Sequence, residues 1–398
     1  MYDASLNTPR AEIEARIAAL QRVLARRGVD AALILQKSDL FYFSGTIQQA
    51  VLWVPADGRP VLMVNRSLER ARAESAIERV VPLPSPSRIP SILKEAGLKA
   101  AGRLGFELDV LPVALFRRYR EIFGAETLDV STDIRLIRAV KSAFEIDLIR
   151  EAARRSDQVA ALLPGMIRPG MTEIELAGRV EAEARRLGHQ GIVRMRLWGG
   201  ELFYGHLLAG PSGGVPSYQA SPTGGSGINP AVAQGAGSRV IGRHEPIVLD
   251  YVFAWRGYIS DHTRLFSLGP VADDLQAAHA AMLELQEEIR RRAVPGALSG
   301  GLYDLALDWV QRRGYADHFM GASEERVRFV GHGVGLELDE FPFLNAGQTL
   351  PLATGMVIAL EPKLIFPGRG VVGIENTHVV TPAGLEQLGR YPGEITVI

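Results

Sequence analysis

Residues 247–266 read IVLDYVFAWRGYISDHTRLF, and residues 357–380 read VIALEPKLIFPGRGVVGIENTHVV. Each stretch is an apolar run, a glycine-containing turn and a second apolar run, the pattern of a β-hairpin. Each carries two acids. Asp250 and Asp261 flank a midpoint between Trp255 and Arg256, and Glu361 and Glu375 flank Gly368. Folded as hairpins, both pairs are expected to lie roughly opposite one another across two strands, with Cβ atoms about 5 Å apart. Carboxylates that close in apolar strands repel unless a cation or a proton sits between them. Between the hairpins, Gly331-His332-Gly333-Val334-Gly335 reads as a flexible loop carrying an imidazole. Four carboxylates and a histidine make the donor set of a two-cation hydrolytic centre. A lone aspartate at a hairpin end is ordinarily a solvated turn residue. Four acids in two matched hairpins, three of them beside continuous apolar runs, are not explained that way. The oxygen-rich set with one nitrogen suits Mn, Fe, Co or Zn and does not choose among them.

The rest of the chain bounds the class. It has 398 residues, 47% of them hydrophobic and 22% charged, which fits a soluble globular protein of two or three domains. A net charge of −1 gives no electrostatic footprint for nucleic acid or an anionic membrane. The absence of cysteine excludes disulfides, thiolate metal sites and a cysteine nucleophile, and fits a cytoplasmic protein. The opening MYDASLNTPRAEIEARIAALQ reads as a capped helix and not a signal peptide, and no apolar run approaches the roughly 20 residues that span a bilayer.

Two domains are expected, 1–135 and 136–398. In the first, a helix capped by Thr8 precedes the buried strand Ala31-Ala32-Leu33-Ile34-Leu35. A hairpin then turns at Asp57-Gly58, and strands near residues 79–82, 103–106 and 127–129 alternate with helices. In the second, S-x-x-E from Ser142 to Glu145 and T-x-x-E from Thr172 to Glu175 each open a helix. An internal echo follows. Arg168-Pro169-Gly170 and Val294-Pro295-Gly296 each precede a helix, and each unit leads to one acidic hairpin. The second domain therefore reads as two related αβ halves. Residues 209–238, rich in glycine, proline and serine, read as a long loop near the site.

These residues resemble a known family. Asp250, Asp261 in S-D-H-T-R, His332 in G-H-G-V-G, Glu361 in E-P and Glu375 in I-E-N look like the pita-bread metallopeptidases: Xaa-Pro aminopeptidases, prolidases and their metal-free relative creatinase. Arg138-Ala139-Val140-Lys141-Ser142 resembles the family's interdomain junction. The resemblance implies an α/β creatinase/prolidase-type N-terminal domain and an α+β pita-bread C-terminal domain with a pseudo-twofold αβ duplication. It implies that Asp250, Asp261, His332, Glu361 and Glu375 hold two divalent ions with a bridging hydroxide. It implies that Glu361 also moves the proton of that hydroxide, that a small peptide or amide is the substrate, and that the chain forms a homodimer. Thr263 matches a position whose hydroxyl supports a metal-binding carboxylate.

The sequence departs from that family in three places. Asp339, in Asp339-Glu340-Phe341-Pro342, stands where Xaa-Pro peptidases carry a second histidine. No histidine lies about seventeen residues before Asp250. Gly373-Ile374-Glu375-Asn376 lacks the arginine that prolidases place before the final ligand. The missing histidines would donate hydrogen bonds to the reacting carbonyl, which an ionised aspartate cannot do. Asp339 is therefore a candidate for binding a substrate cation, against the plainer reading that it caps a turn or pairs with an arginine. His206, in LWGGELFYGHLLAG with Trp198 and Tyr204, is a candidate pocket residue entering from a loop, against the plainer reading of a strand with core aromatics. His262 alternates away from Asp261 and reads as structural. The leading expectation is a metal-dependent hydrolase of an N-terminal Xaa-Pro bond or another small amide. The alternatives are a creatinase-like amidinohydrolase or lyase on a small C–N substrate, and a non-catalytic binding protein.

Overall fold

The structure is a computed structural model that describes residues 3–202, 204–322, 324 and 326–398. Two compact units make up the chain, Met1–Arg138 and Ala139–Ile398.

The first unit is built on a six-stranded mixed sheet, in the order Val80–Pro82, Val61–Val64, Ala50–Pro55, Ala31–Ile34, Arg103–Phe106 and Glu126–Asp129. Every residue of Ala31–Ile34 is buried, as its unbroken apolar sequence requires of a central strand. The first long helix is Arg10–Arg27 and stops at Gly28 in the left-handed conformation. Thr8 does not cap it. Pro9 occupies the N-cap position with no side-chain cap, and Thr8 is buried.

The second unit has a four-stranded sheet and a five-stranded sheet. The order in the first is Thr396–Val397, Tyr258–Ser267, Ile247–Trp255 and Gly205–Ala209. In the second it is Glu340–Asn345, Phe329–Gly333, Val357–Leu360, Asn376–Thr381 and Gly384–Gln387. A separate hairpin pairs Lys363–Phe366 with Gly370–Gly373. Helices Ala143–Met166, Glu173–Arg186, Asp273–Arg292 and Ser299–Arg313 pack on these strands. The first of them opens with the Ser142–Glu145 capping box. Both Pro-Gly units precede helices, Glu173–Arg186 and Ser299–Arg313.

Both acidic segments are hairpins, with different registers. In the second, Leu360 faces Asn376 and Lys363 faces Gly373, so Glu361 and Glu375 stand opposite in the continuing register. In the first, Trp255 faces Tyr258 across a two-residue turn, Arg256 at φ 49 and Gly257 at φ 93, the backbone of a type I′ turn. That turn is centred one residue later than the midpoint of the two aspartates. Asp250 therefore faces Thr263, and Asp261 faces Val252. The first pair is diagonal and not directly opposite, though still on one face of the ribbon.

His332 is not on a flexible loop. It lies in strand Phe329–Gly333, between Ala359 on one side and Phe343 on the other. The flanking glycines serve close approach. A Cβ on Gly331 would sit 2.6 Å from the Ala359 carbonyl oxygen, and one on Gly333 would sit 2.2 Å from that of Phe341.

Candidate metal centre

Five expected ligand positions come together in the second unit. Asp250 is served on both oxygens. Its Oδ1 lies 2.9 Å from the Thr263 hydroxyl, and its Oδ2 accepts from Thr223 at 2.6 Å and from Lys363 Nζ at 3.0 Å. Asp261 is buried, and its Oδ1 has no hydrogen-bond partner. Thr377 fixes its backbone, accepting from Asp261 N–H and donating to the Asp261 carbonyl, both at 2.8 Å. Glu375 Oε2 lies 3.0 Å from the Thr263 hydroxyl and accepts from Lys363 at 2.8 Å, whereas its Oε1 has no partner. Glu361 Oε2 accepts from Lys363 at 2.9 Å. Arg264, fully buried, donates to the Glu375 carbonyl at 2.9 Å and to Asn376 Oδ1 at 2.7 Å, tying the end of one hairpin to the other.

His332 is aimed by its backbone surroundings. Its Nδ1–H donates to the Leu338 carbonyl at 2.9 Å, which turns Nε2 toward the acids. Nε2 stands 3.5 Å from Glu361 Oε1 and 4.0 Å from Asp261 Oδ2. Asp261, His332 and Glu375 each offer an atom within 4.8 Å of the others, close enough to share one ion. Two bare buried carboxylate oxygens and an imidazole nitrogen facing acids are the donor set that a divalent cation requires. These residues fit one divalent ion.

The electrostatics agree. Burial, then crowding by Glu375 and Asp250, raises the Asp261 carboxyl well above its ordinary range. Burial and the neighbouring Glu361 push Glu375 up to about 8. Burial would raise Asp250 too, but the Lys363 ammonium and His206 outweigh it and hold that carboxyl below the ordinary range. Burial disfavours charge on Lys363, yet Asp250, Glu361 and Glu375 more than compensate and keep it an ammonium. Burial likewise disfavours charge on His332, and Asp339, Glu361 and Glu375 reverse the shift.

Sequence reading missed Lys363. The available signal was its position two residues after Glu361, which puts both side chains on one face of an extended strand. It also missed Thr223 and Gln234, which come from the glycine-rich loop and reach the site only through the fold.

The remaining candidates divide. His206 lies on strand Gly205–Ala209, opposite Asp250, and not on a loop. It is buried, with Nδ1 3.0 Å from Thr223 Oγ1 and Nε2 3.2 Å from Gln234 Oε1, and burial lowers its pKa. Tyr204 is core, stacked on Tyr251. His262 points to the opposite face, 3.1 Å from Ser156 Oγ. Asp339 Oδ1 lies 4.0 Å from His332 Nδ1, and its buried Oδ2 has no partner. Glu340 shapes the turn before it, accepting from the Leu336 and Glu337 amides and from Lys141. Asp339, His206 and the acids line a cavity of about 350 Å³ whose apolar walls include Leu197, Trp198, Phe329 and Leu338.

Two family descriptions match this chain. "Creatinase/Prolidase N-terminal domain" covers residues 16–140, and "Metallopeptidase family M24" covers residues 147–382. The probable dipeptidase PepE of Mycobacterium tuberculosis is 26% identical over 399 residues, spanning 98% of this chain and 97% of that one. The Xaa-Pro dipeptidase of Pyrococcus furiosus is 25% identical over 382 residues, spanning 96% and 99%. The solved Xaa-Pro dipeptidase from Bacillus anthracis shares the fold with a TM-score of 0.82, at 24% identity over 97% of this chain and 100% of its own. The family's divalent ions and the bare oxygens of Asp261 and Glu375 answer one another. Hairpins, acids and both domain matches lead to one assignment: the chain belongs to metallopeptidase family M24.

Proposed function

We propose that this protein is a divalent-ion-dependent hydrolase of a small amide, with an N-terminal Xaa-Pro bond as the first substrate to test. One observation carries the reading. Asp261 Oδ1 and Glu375 Oε1 are buried without partners beside His332, on the wall of a cavity that suits a dipeptide-sized ligand. A divalent ion held by Asp261, His332 and Glu375 would polarise a carbonyl and acidify a water. Glu361 has one oxygen tied to Lys363 and the other turned toward His332. That free oxygen takes the proton of the attacking water and passes it to the leaving nitrogen as the C–N bond breaks. Lys363, Thr223 and Thr263 hold Asp250 and Glu361 in place. His206 supports Asp250 through Thr223 and also lines the cavity. The relatives from Mycobacterium tuberculosis and Pyrococcus furiosus, named as a probable dipeptidase and an Xaa-Pro dipeptidase, support a peptide substrate.

A second reading has its own observation. Asp339 lacks a partner on Oδ2 and faces the cavity, where a cationic substrate group would pair with it. That favours a small guanidinium or amidine substrate of the creatinase type. Manganese-loaded protein assayed against Xaa-Pro dipeptides, Xaa-Pro tripeptides and a panel of guanidino and cyclic amidine compounds separates the two. Turnover of the peptides supports the first. Turnover only of the cationic compounds, abolished in Asp339→Asn, replaces it with the second. No turnover of either class removes both. A cytoplasmic homodimer is the accompanying expectation, drawn from the resemblance and the absence of cysteine. No helix among the described residues is long and apolar enough to cross a membrane. Light scattering of the purified protein checks the dimer.

A further inference from the structure

We propose that the Lys363 ammonium is a resident cation that takes the place of one of the two divalent ions expected from the four carboxylates, so that the centre loads a single ion on Asp261, His332 and Glu375. The inference rests on the reading that the centre holds a divalent ion, and it sets how many and where.

The argument begins with valence. An ammonium has three protons, and Lys363 Nζ has three carboxylate acceptors, Asp250, Glu361 and Glu375, at 3.0, 2.9 and 2.8 Å. The side chain is 1% exposed. Nothing in that shell is left for solvent. Nζ lies within 3.0 Å of both Asp250 Oδ2 and Glu361 Oε2, so it occupies the position between the two acids that a second divalent ion shared by them would need. That ion would have to displace the buried ammonium and strand it without acceptors.

Across the centre the situation reverses. Asp261 Oδ1 and Glu375 Oε1 are buried with no partner, and a ligand atom from each of these residues lies within 4.8 Å of a His332 ring nitrogen. Asp250, by contrast, has a partner within 3.0 Å on each oxygen, Thr263 on Oδ1 and Thr223 and Lys363 on Oδ2. With all four carboxylates ionised to take up metal, one lysine leaves three negative charges buried together, and a single divalent ion reduces that to one. The lysine holds one of the two cation positions and leaves the other open.

The backbone is shaped for it. Gly373 stands directly opposite Lys363 with φ 150, and a Cβ there would lie 2.6 Å from Lys363 Cα and 3.0 Å from its Cγ. The Pro362 carbonyl oxygen would lie nearer still, at 2.5 Å, so the crowding is mainly with the main chain and glycine lets the two strands close around the lysine.

Metal content tests the proposal without reference to turnover. The apo protein is dialysed against a graded series of manganese(II) and analysed by elemental analysis and electron paramagnetic resonance, beside Lys363→Gly. The wild type is expected to saturate at one manganese per chain with an isolated six-line signal. Lys363→Gly is expected to take two, with an exchange-coupled signal. Two ions in the wild type, none in the wild type, or one in a folded Lys363→Gly overturns the proposal. Should the variant not fold, anomalous diffraction from wild-type crystals soaked in manganese decides instead. A single peak touching Asp261, His332 and Glu375 supports it, and a peak touching Asp250 overturns it. Failure here and failure of the proposed function are distinct results. One manganese without cleavage of any amide keeps this inference and removes that function. Two manganese ions with Xaa-Pro cleavage does the reverse.

Discussion

The hairpin of residues 247–267 and the segment of residues 357–381 deliver the same cargo, two carboxylates each, yet neutralise it by different means. In the second, the acids are directly opposite, and the strand supplies its own counter-ion two residues after Glu361. In the first, the turn at Arg256-Gly257 offsets the acids. Asp250 is quieted by groups from elsewhere, Thr223 from the glycine-rich loop and Lys363 from the other hairpin, and Asp261 Oδ1 is left bare. Local alternation can build charge balance into one strand. What it leaves unbalanced marks where an external cation belongs.

The largest effect should come from treating the two aspartates of the first hairpin alike. Asp261→Asn should abolish retained manganese, because it weakens a carboxylate with no other employment. Asp250→Asn should keep one manganese per chain, because Asp250 is engaged by Lys363 and two hydroxyls. Equal loss of metal in both variants, measured by elemental analysis after dialysis, would erase the distinction between the two acids.

Next in size is the counter-ion itself. Lys363→Met removes one member of a buried ionic cluster and strands three carboxylates. Breaking a buried pair from one side costs about 3–5 kcal/mol. The metal-free variant should lose roughly that much in urea unfolding, and saturating manganese should recover a large part of it by mass action. A metal-free variant as stable as the wild type would show that the ammonium is not balancing those acids.

A smaller effect probes the backbone of the first hairpin. His189 is buried, its Nε2–H donating to the Val252 carbonyl at 3.2 Å and its Nδ1 accepting from the Gly191 amide at 2.9 Å. Both nitrogens are committed in the neutral ring, and burial depresses its pKa to about 4. The unfolded chain protonates near pH 6.5 and the folded one only near 4. Stability is therefore intact above pH 6.5 and falls as pH drops through that window, by about 2 kcal/mol at pH 4.5. His189→Gln should flatten this share of the pH dependence between 6.5 and 4.5 in urea titrations. An unchanged slope would move the acid sensitivity elsewhere.

The legible part of this molecule was the part whose cost is local. A carboxylate in an apolar strand is expensive wherever the strand goes, so Asp250, Asp261, Glu361 and Glu375 stood out before any fold was known. His332 was found for its type and misread for its setting. Glycines that permit mobility and glycines that let neighbouring strands approach look the same until Ala359 and Phe341 are in place. Lys363 was hidden differently. A lysine in a strand ordinarily reaches solvent, and its burial depends on Asp250, which lies 113 positions away and arrives through the other hairpin. Thr223 was illegible for the same reason, since nothing in a glycine-rich loop says which hydroxyl will meet an acid.

The mildest test concerns what sets the offset of the first pair. Arg256 at φ 49 and Gly257 at φ 93 make a turn that matches the twist of its strands, and an alanine at 257 would have to hold a left-handed conformation at a cost of about 1–2 kcal/mol. Two things hold the register, this turn and the buried faces of the strands. A slip of one strand by one residue would put Asp250 and Asp261 on opposite faces of the ribbon and turn over every buried side chain of the slipped strand. That is far costlier than the strain at the turn, so the strands should hold. Gly257→Ala is accordingly expected to lower the urea midpoint by the equivalent of about 1–2 kcal/mol while still retaining one manganese per chain. Loss of the ion from a folded Gly257→Ala protein would mean that the turn, and not the packed face, places Asp261 beside His332.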